Sequence, residues 1–294
     1  MIRFQHCRHT VAGLFLLVLS TGTAISQHAA YYLFRENGKK VKYEKMLEAA
    51  SGADVVLFGE LHNNPISHWM ELKLTEDLFA ARGGDLVLGA EMFEADNQLI
   101  LNEYLDGFIT IEKFEDEAKL WQNYKTDYRP LVEFAFNHHL PFIATNVPRR
   151  YANAVFHKGL PVLDSLDEEA YHYLAPLPLE YDTSLACYNV LIHNPSMPGH
   201  ASINLADAQA IKDATMAHFI LENWQPGKLL IHFNGAYHSD DFESINWWLK
   251  RANPDLKIVT ISSVSEKEAD TLSEENQGKA DFIISVPADM TTTY

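Results

Sequence analysis

The amino-acid sequence predicts an α/β protein, a mostly parallel sheet flanked by helices, with a smaller helical subdomain. Continuous apolar runs recur at 55–58, 86–88, 142–144, 229–233, 258–261 and 282–286. Strands that are apolar at every position are covered on both faces, as in parallel sheets. Between the runs lie stretches of helical texture at 65–81, 95–105, 131–138, 148–157, 205–224 and 242–251. Strand and helix therefore alternate as βα units wound on both faces of one sheet.

The chain opens with Arg3 and Arg8, an apolar run over 11–19 and small residues to Ser26. This is the layout of a secretory signal peptide, and the run is too short to cross a bilayer. We expect residues 1–26 to be removed and 27–294 to form a soluble exported domain, periplasmic or associated with the cell surface. No cysteine follows the run near the cleavage region, so a lipid anchor is not supported. Cys7 falls in the leader and only Cys187 remains, which excludes an intrachain disulfide and leaves cohesion to a buried core. The net charge is −17, and losing Arg3 and Arg8 makes it more negative. That balance argues against nucleic acid or an acidic membrane as partner.

After the first strand comes Gly59-Glu60-Leu61-His62-Asn63-Asn64-Pro65. Pro65 suits a first helical position with Asn64 as its cap. Glu60 and His62 share strand parity and can face one crevice. In the helix that follows, Ile66, Trp69, Leu72 and Phe79 form the expected core stripe, and His68 falls near the crevice rim or in solvent. The second strand ends in Gly89-Ala90-Glu91, and a buried acid there needs a cation, a metal or hydrogen bonds to stay charged.

Two helical insertions, near 95–129 and 160–201, interrupt the alternation. The first is rich in acids and aromatics over 111–129. The second carries Pro161, Pro176, Pro178, Pro195 and Pro198 and reads as an excursion or flap rather than core.

The third strand leads to Asn146 and Pro148-Arg149-Arg150. Two arginines in an opening helical turn oppose the helix dipole, so an anionic partner is expected. For Arg149 that partner is either Glu60 or Glu91 in a structural ion pair, or a ligand. After Leu205, the residues Gln209, Lys212 and Met216 share one helix face, while Ala210, Ile211, Ala214 and Leu221 suit burial. That face reads either as ordinary amphipathic surface or as a stripe turned to a ligand. The fourth strand ends in Gly235-Ala236-Tyr237-His238, repeating the Gly-x-x-His spacing of Gly59 to His62.

Open parallel sheets bind ligands beyond the carboxyl ends of their strands. Glu60, His62, Glu91, Asn146, Arg149 and His238 all follow apolar runs and are expected to converge there. One such histidine alone is more often a solvated or capping residue; polar groups supplied by four strand ends point instead to a site.

Several motifs keep their order across the chain: Gly59-Glu60-Leu61-His62 with Asn64-Pro65 and His68-Trp69, Gly89-Ala90-Glu91-Met92-Phe93, and Asn146-Val147-Pro148-Arg149-Arg150-Tyr151. Gln209 with Lys212-Asp213-Ala214-Thr215-Met216-Ala217, and Gly235-Ala236-Tyr237-His238, complete the set. Together, over roughly residues 40–290, the chain resembles the ChaN-like haem-binding proteins of the TIKI superfamily. The resemblance implies an exported haem-binding protein of iron acquisition, with haem held in a homodimer through a tyrosine. Family members are often lipoproteins, and this chain lacks the anchoring cysteine. Tyr104, Tyr124, Tyr128 and Tyr181 lie in or near the irregular segments and are the ligand tyrosines to consider. His62, His68, Arg149, Lys212, Met216 and His238 are the positions expected around the haem, cations for the propionates and apolar surface for the porphyrin.

The wider superfamily holds proteins similar to the TIKI proteases and erythromycin esterases, whose paired Gly-x-x-His motifs and acids sit in hydrolytic sites. Glu60, His62, Glu91, Arg149 and His238 match that constellation. On this alternative, Glu60, His62, Glu91 and His238 hold a divalent metal with an open position for water. Otherwise a histidine acts as base while Arg149 stabilises negative charge.

Overall fold

The protein is described by a computed structural model over residues 29–193 and 202–294. The expected signal peptide at 1–26 lies outside the described residues, as do Pro195 and Pro198. Seven strands form one sheet: β1 (Tyr32–Arg35), β2 (Val55–Glu60), β3 (Leu86–Glu94), β4 (Phe142–Asn146), β5 (Leu229–Gly235), β6 (Ile258–Glu266) and β7 (Phe282–Pro287). Their order is β1-β7-β6-β2-β5-β3-β4, and every pairing is parallel except β1 against β7. The helices are α1 (Tyr43–Ser51), α2 (Pro65–Arg82), α3 (Gln98–Leu105), α4 (Ile111–Glu117), α5 (Arg129–His138), α6 (Arg149–Lys158), α7 (Ala186–His193), α8 (Ile203–Asn223) and α9 (Ile245–Ala252). The mostly parallel α/β architecture follows the apolar runs, each of which became a strand. β1 and α1 had no such run to announce them.

Alternate residues of the central strands feed two cores. Val56, Phe58, Leu88, Ile231 and Phe233 pack against the layer of α1 to α5, whereas Val55, Leu57, Val87 and Leu230 pack against α8 and α9. This two-sided burial explains why the strands read as unbroken apolar runs. Among the described residues, no helix is long and apolar enough to cross a membrane.

Two expectations require correction. The segment after α6 is no loose flap: Leu163 and Leu174 pack with Val155 and Ile211, and Cys187 and Tyr188 pack with Ala206 and Ala210. Its prolines break regular helix but leave enough apolar side chains to build two small cores on α6 and α8. In α2 the expected stripe holds only in part. Ile66, Leu72 and Phe79 pack against the core, but Trp69 is 45% exposed, and the fully buried face runs through Ser67, His68, Met70, Glu71, Leu74, Thr75 and Leu78. Polar residues occupy the inward face because they meet other polar groups there.

Asn64 caps α2 as expected, its Oδ1 accepting from the backbone N–H groups of Ile66 and Ser67 at 3.0 and 3.1 Å, with Pro65 first in the helix. Gly59, the penultimate residue of β2, lies where the strand nears the chain beyond β5. A methyl group there would lie 2.9 Å from Ala236 Cα and 3.1 Å from the Ile261 carbonyl oxygen, both backbone atoms. Gly59→Ala should therefore cost about 1–3 kcal/mol. Its urea midpoint should fall with the slope unchanged, and a midpoint equal to wild type would refute so tight an approach.

Candidate functional site

A cleft of about 690 Å³ opens at the carboxyl ends of β2, β3, β4 and β5, within the range of small-molecule and cofactor sites. Glu60, His62, Glu91, Asn146, Arg149, Lys212 and His238 all line it. Leu61, Trp121, Val147, Ala152, Phe156 and Ala208 give it an apolar wall. A neighbouring cleft of about 680 Å³ shares Glu94, Trp121 and Arg149 with the first.

Glu60, the last residue of β2, is buried at the floor. Its Oε1 accepts from the Tyr128 hydroxyl at 2.6 Å and meets His62 Nδ1 at 2.7 Å. Tyr128 reaches it from a π-helical turn, Tyr124–Tyr128, a widened turn of the kind found at functional sites. The His62 side chain is 36% exposed and packs edge-on to Trp121. Burial pulls the imidazole down, but the hydrogen bond to Glu60 and the charges of Glu91 and Glu60 outweigh it and raise its pKa. With Nδ1 on the carboxylate, Nε2 has no hydrogen-bond partner among the described residues. Gly235 makes room for this ring, since a methyl group there would lie 2.6 Å from Nε2.

Glu91 lies within β3, where pairing with β4 shifts register between Ala90 and Glu94. That irregularity turns the carboxylate toward β5, and its Oε2 accepts from the Gly235 N–H at 2.7 Å. Its Oε1 is 3.3 Å from His238 Nε2, while His238 Nδ1 bonds to Asp213 of α8. Asp213 in turn accepts from the Tyr188 hydroxyl at 2.9 Å. Burial disfavours the charged ring of His238, but the two carboxylates prevail and hold its pKa at about 10. Despite its own burial, Glu91 is kept well below the usual carboxylate range by His238, His62 and the Gly235 N–H. His232 on β5 shows the contrast. It is equally buried, its nearest partners are the neutral Thr145 and Asn234, and burial takes it down to about 4.

Arg149 is exposed at the first turn of α6 and Lys212 is partly exposed on α8. Among the described residues neither is tied into an ion pair, so the expected structural pairing of Arg149 with Glu60 or Glu91 is not formed. Arg150 is the arginine neutralised locally, by Asp96. Asn146 lines the same cleft, and its Oδ1 is buried with no hydrogen-bond partner among the described residues.

Three groups of expected positions fall elsewhere. His68 lies neither at the rim nor in solvent. It is 6% exposed beneath the floor, with Nε2 on the His62 carbonyl oxygen at 3.0 Å and Nδ1 3.0 Å from Glu71 Oε2. Met216 is fully buried between α8 and the sheet. It shares a face with Gln209 but lies seven residues on, about 10 Å along the helix, where that face already meets β-strands. The four tyrosines are also committed. Tyr104 stacks between Phe114 and Phe136, Tyr124 is buried, and Tyr128 and Tyr181 donate to Glu60 and Asp207.

Among the described residues, Glu60, His62, Glu91 and His238 do not form one metal-ligand group; they divide into Glu60–His62 and Glu91–His238 pairs. The group whose donor atoms do converge is Glu60, His68 and Glu71. Sequence reasoning missed Asp213, Glu71 and Asp127 as partners of the site. Each lies on a helical turn where an acid reads as solvent-facing, and only the neighbouring histidines hinted otherwise.

The raised pKa of His238 links stability to pH. The folded chain binds this proton more tightly than the unfolded chain, whose imidazole has the ordinary value of 6.5. The stabilisation is thus complete below about 6.5 and is lost as pH rises through about 10. His238→Gln should be about 3–5 kcal/mol less stable near neutrality, having stranded two buried carboxylates. Thermal melts from pH 7 to 10.5 should show wild type losing Tm faster than the variant; parallel curves would refute the linkage.

Comparison with known proteins gives this arrangement a context. The sequence profile described as haem-binding uptake, Tiki superfamily, ChaN matches residues 46–249. ChaN of Campylobacter jejuni, solved with cofacial haem binding, superposes with a TM-score of 0.66 at 17% identity, over 86% of this chain and 96% of that one. A succinoglycan biosynthesis protein has a TM-score of 0.48 at 13% identity, over 85% of this chain and 94% of that one. A variant of erythromycin esterase in its open conformation has 0.45 at 13%, over 81% and 77%. No curated protein matches in sequence. At these identities the solved structures speak for the fold alone. The profile spans more than half of the chain, which therefore belongs to the haem-binding uptake family of the Tiki superfamily, the ChaN family.

Proposed function

We propose that the cleft binds haem and that the protein serves haem or iron uptake. The observation that carries this reading is the pairing of an apolar wall, built by Leu61, Trp121, Val147, Ala152 and Phe156, with two unpaired cations, Arg149 and Lys212. A flat apolar dianion asks for that combination: surface for the ring and positive charge for the propionates. His62 is the protein group suited to the iron, because its Nδ1 is held by Glu60, as the second nitrogen of a metal-binding imidazole usually is. The four tyrosines considered from sequence are engaged inside the fold, so on this reading none of them binds iron without rearrangement. Bound haem would supply an iron centre whose properties follow from its axial ligand. Membership of the family supports the proposal, and the cofacial arrangement described for ChaN of Campylobacter jejuni suggests that two copies of this chain bring two haems together.

Export through a leader at 1–26 fits this role and is part of the proposal. N-terminal sequencing of the protein recovered from outside the cytoplasm should begin near residue 27, and an intact Met1 would count against it.

Titration of the mature protein with haem should give a saturable Soret shift. His62→Ala should move the band, whereas Tyr104→Phe should not. Arg149→Ala and Lys212→Ala should each weaken binding about threefold, the scale of a partly exposed ion pair. A Soret band unchanged on mixing, or insensitive to all of these substitutions, would reject the proposal. Sedimentation with and without haem tests the dimer.

A hydrolytic reading is favoured by one observation, the Glu60–His62 pair facing a cleft that also holds Arg149. His62 would act as base, oriented by Glu60, with Arg149 stabilising developing negative charge. His238 cannot share that duty, because both of its nitrogens are committed to carboxylates. Turnover of an ester or peptide library that His62→Ala abolishes would support this reading.

A further inference from the structure

Beneath the cleft floor is a second cluster that the haem reading does not use. His68 and Glu71 lie one turn apart on α2, and Glu60 approaches from β2. Their donor atoms all lie within 4.8 Å of one another, and all three residues are buried.

The protonation of His68 is fixed by its partners. Nε2 is 3.0 Å from the His62 carbonyl oxygen and 3.4 Å from Asp127 Oδ2. Both are acceptors, so Nε2 carries the hydrogen. Asp127 Oδ2 is itself held by the Asn123 amide and the Thr293 hydroxyl, each at 2.8 Å. A histidine whose Nε2–H is pinned to a carbonyl presents Nδ1 as its ligand atom, the orientation that outer-shell partners impose on metal-binding imidazoles.

What Nδ1 faces is two carboxylate oxygens, Glu71 Oε2 at 3.0 Å and Glu60 Oε2 at 3.5 Å. Glu60 Oε2 and Glu71 Oε1 are buried with no hydrogen-bond partner among the described residues. A proton on Nδ1 would serve the nearest oxygen, and the facing carboxyl groups of Glu60 and Glu71 would then have to share a proton or hold a cation. A single small cation between them serves all. Ligands about 2.0–2.2 Å from a first-row dication are about 3.0–3.5 Å from one another, which matches the spacing observed.

We infer that Glu60, His68 and Glu71 form a buried site for a divalent first-row metal, beneath the cleft and sharing Glu60 with it. One imidazole with two carboxylates suits zinc or manganese. The ion would use Glu60 Oε2, leaving Oε1 on His62 and Tyr128. Its route inward passes His62, the exposed member of the group above.

Chelator-treated full-length protein would be loaded with zinc chloride or manganese chloride, desalted, and its bound metal measured by mass spectrometry. We expect about one equivalent per chain in wild type. Glu71→Gln, nearly isosteric, should lower the affinity at least about tenfold while the circular dichroism spectrum stays that of wild type. Absence of uptake in wild type overturns the assignment and leaves the carboxyl groups sharing protons. Uptake by Glu71→Gln at the wild-type affinity also overturns it, by placing the ion elsewhere. Should Glu71→Gln fail to fold, X-ray absorption of the zinc-loaded wild type decides: one imidazole among oxygen ligands supports the site, and two imidazoles exclude it.

Discussion

Five acidic side chains, Glu60, Glu71, Glu91, Asp127 and Asp213, are buried around the carboxyl ends of the central strands, and compensating them is the constraint that organises this end of the molecule. An uncompensated buried carboxylate costs far more than any single packing contact returns. Three of these acids draw in a donor from another part of the chain. Glu60 takes the tyrosine of the π-helical turn and His62, Glu91 takes a strand N–H, and Asp213 takes Tyr188 and His238. The loops converge because their donors have charges to meet.

The resulting site has two sides of unlike character. The side of Glu60 Oε1 opens to a broad cleft with an aromatic wall and free cations, suited to a large amphiphilic anion. The side of Oε2 is buried toward His68 on α2, 3.5 Å away, and has no hydrogen-bond partner among the described residues. His62 stands at the boundary and contributes its side chain to the first and its carbonyl oxygen to the second.

Much of the fold was legible because burial on both faces leaves a plain mark, an apolar run with turn residues after it. The strands, the capped start of α2, and the gathering of Glu60, His62, Glu91, Arg149 and His238 at one edge all followed from that mark. β1 escaped because an edge strand of four residues carries no such run. The inward face of α2 escaped for a subtler reason: the periodicity of Ser67, His68, Glu71 and Thr75 is that of a solvated face, and a helix that buries polar groups against polar groups looks the same in sequence as one that exposes them. Asp213 was hidden likewise, in a helix whose inward residues are mostly apolar but include Asp207 and Thr215. Met216 shows the limit of facial arguments, since a residue can share a face with ligand-lining neighbours and still lie two turns deeper.

The pairing of β1 with β7 has a consequence for the margin of the sheet. β7 closes one side of an otherwise parallel array, and β1 covers its outward row of amide and carbonyl groups through the register Tyr32↔Ser285 to Arg35↔Phe282. Without those four residues the margin would lie bare to any other extended polypeptide. They thus act as a guard against intermolecular strand addition.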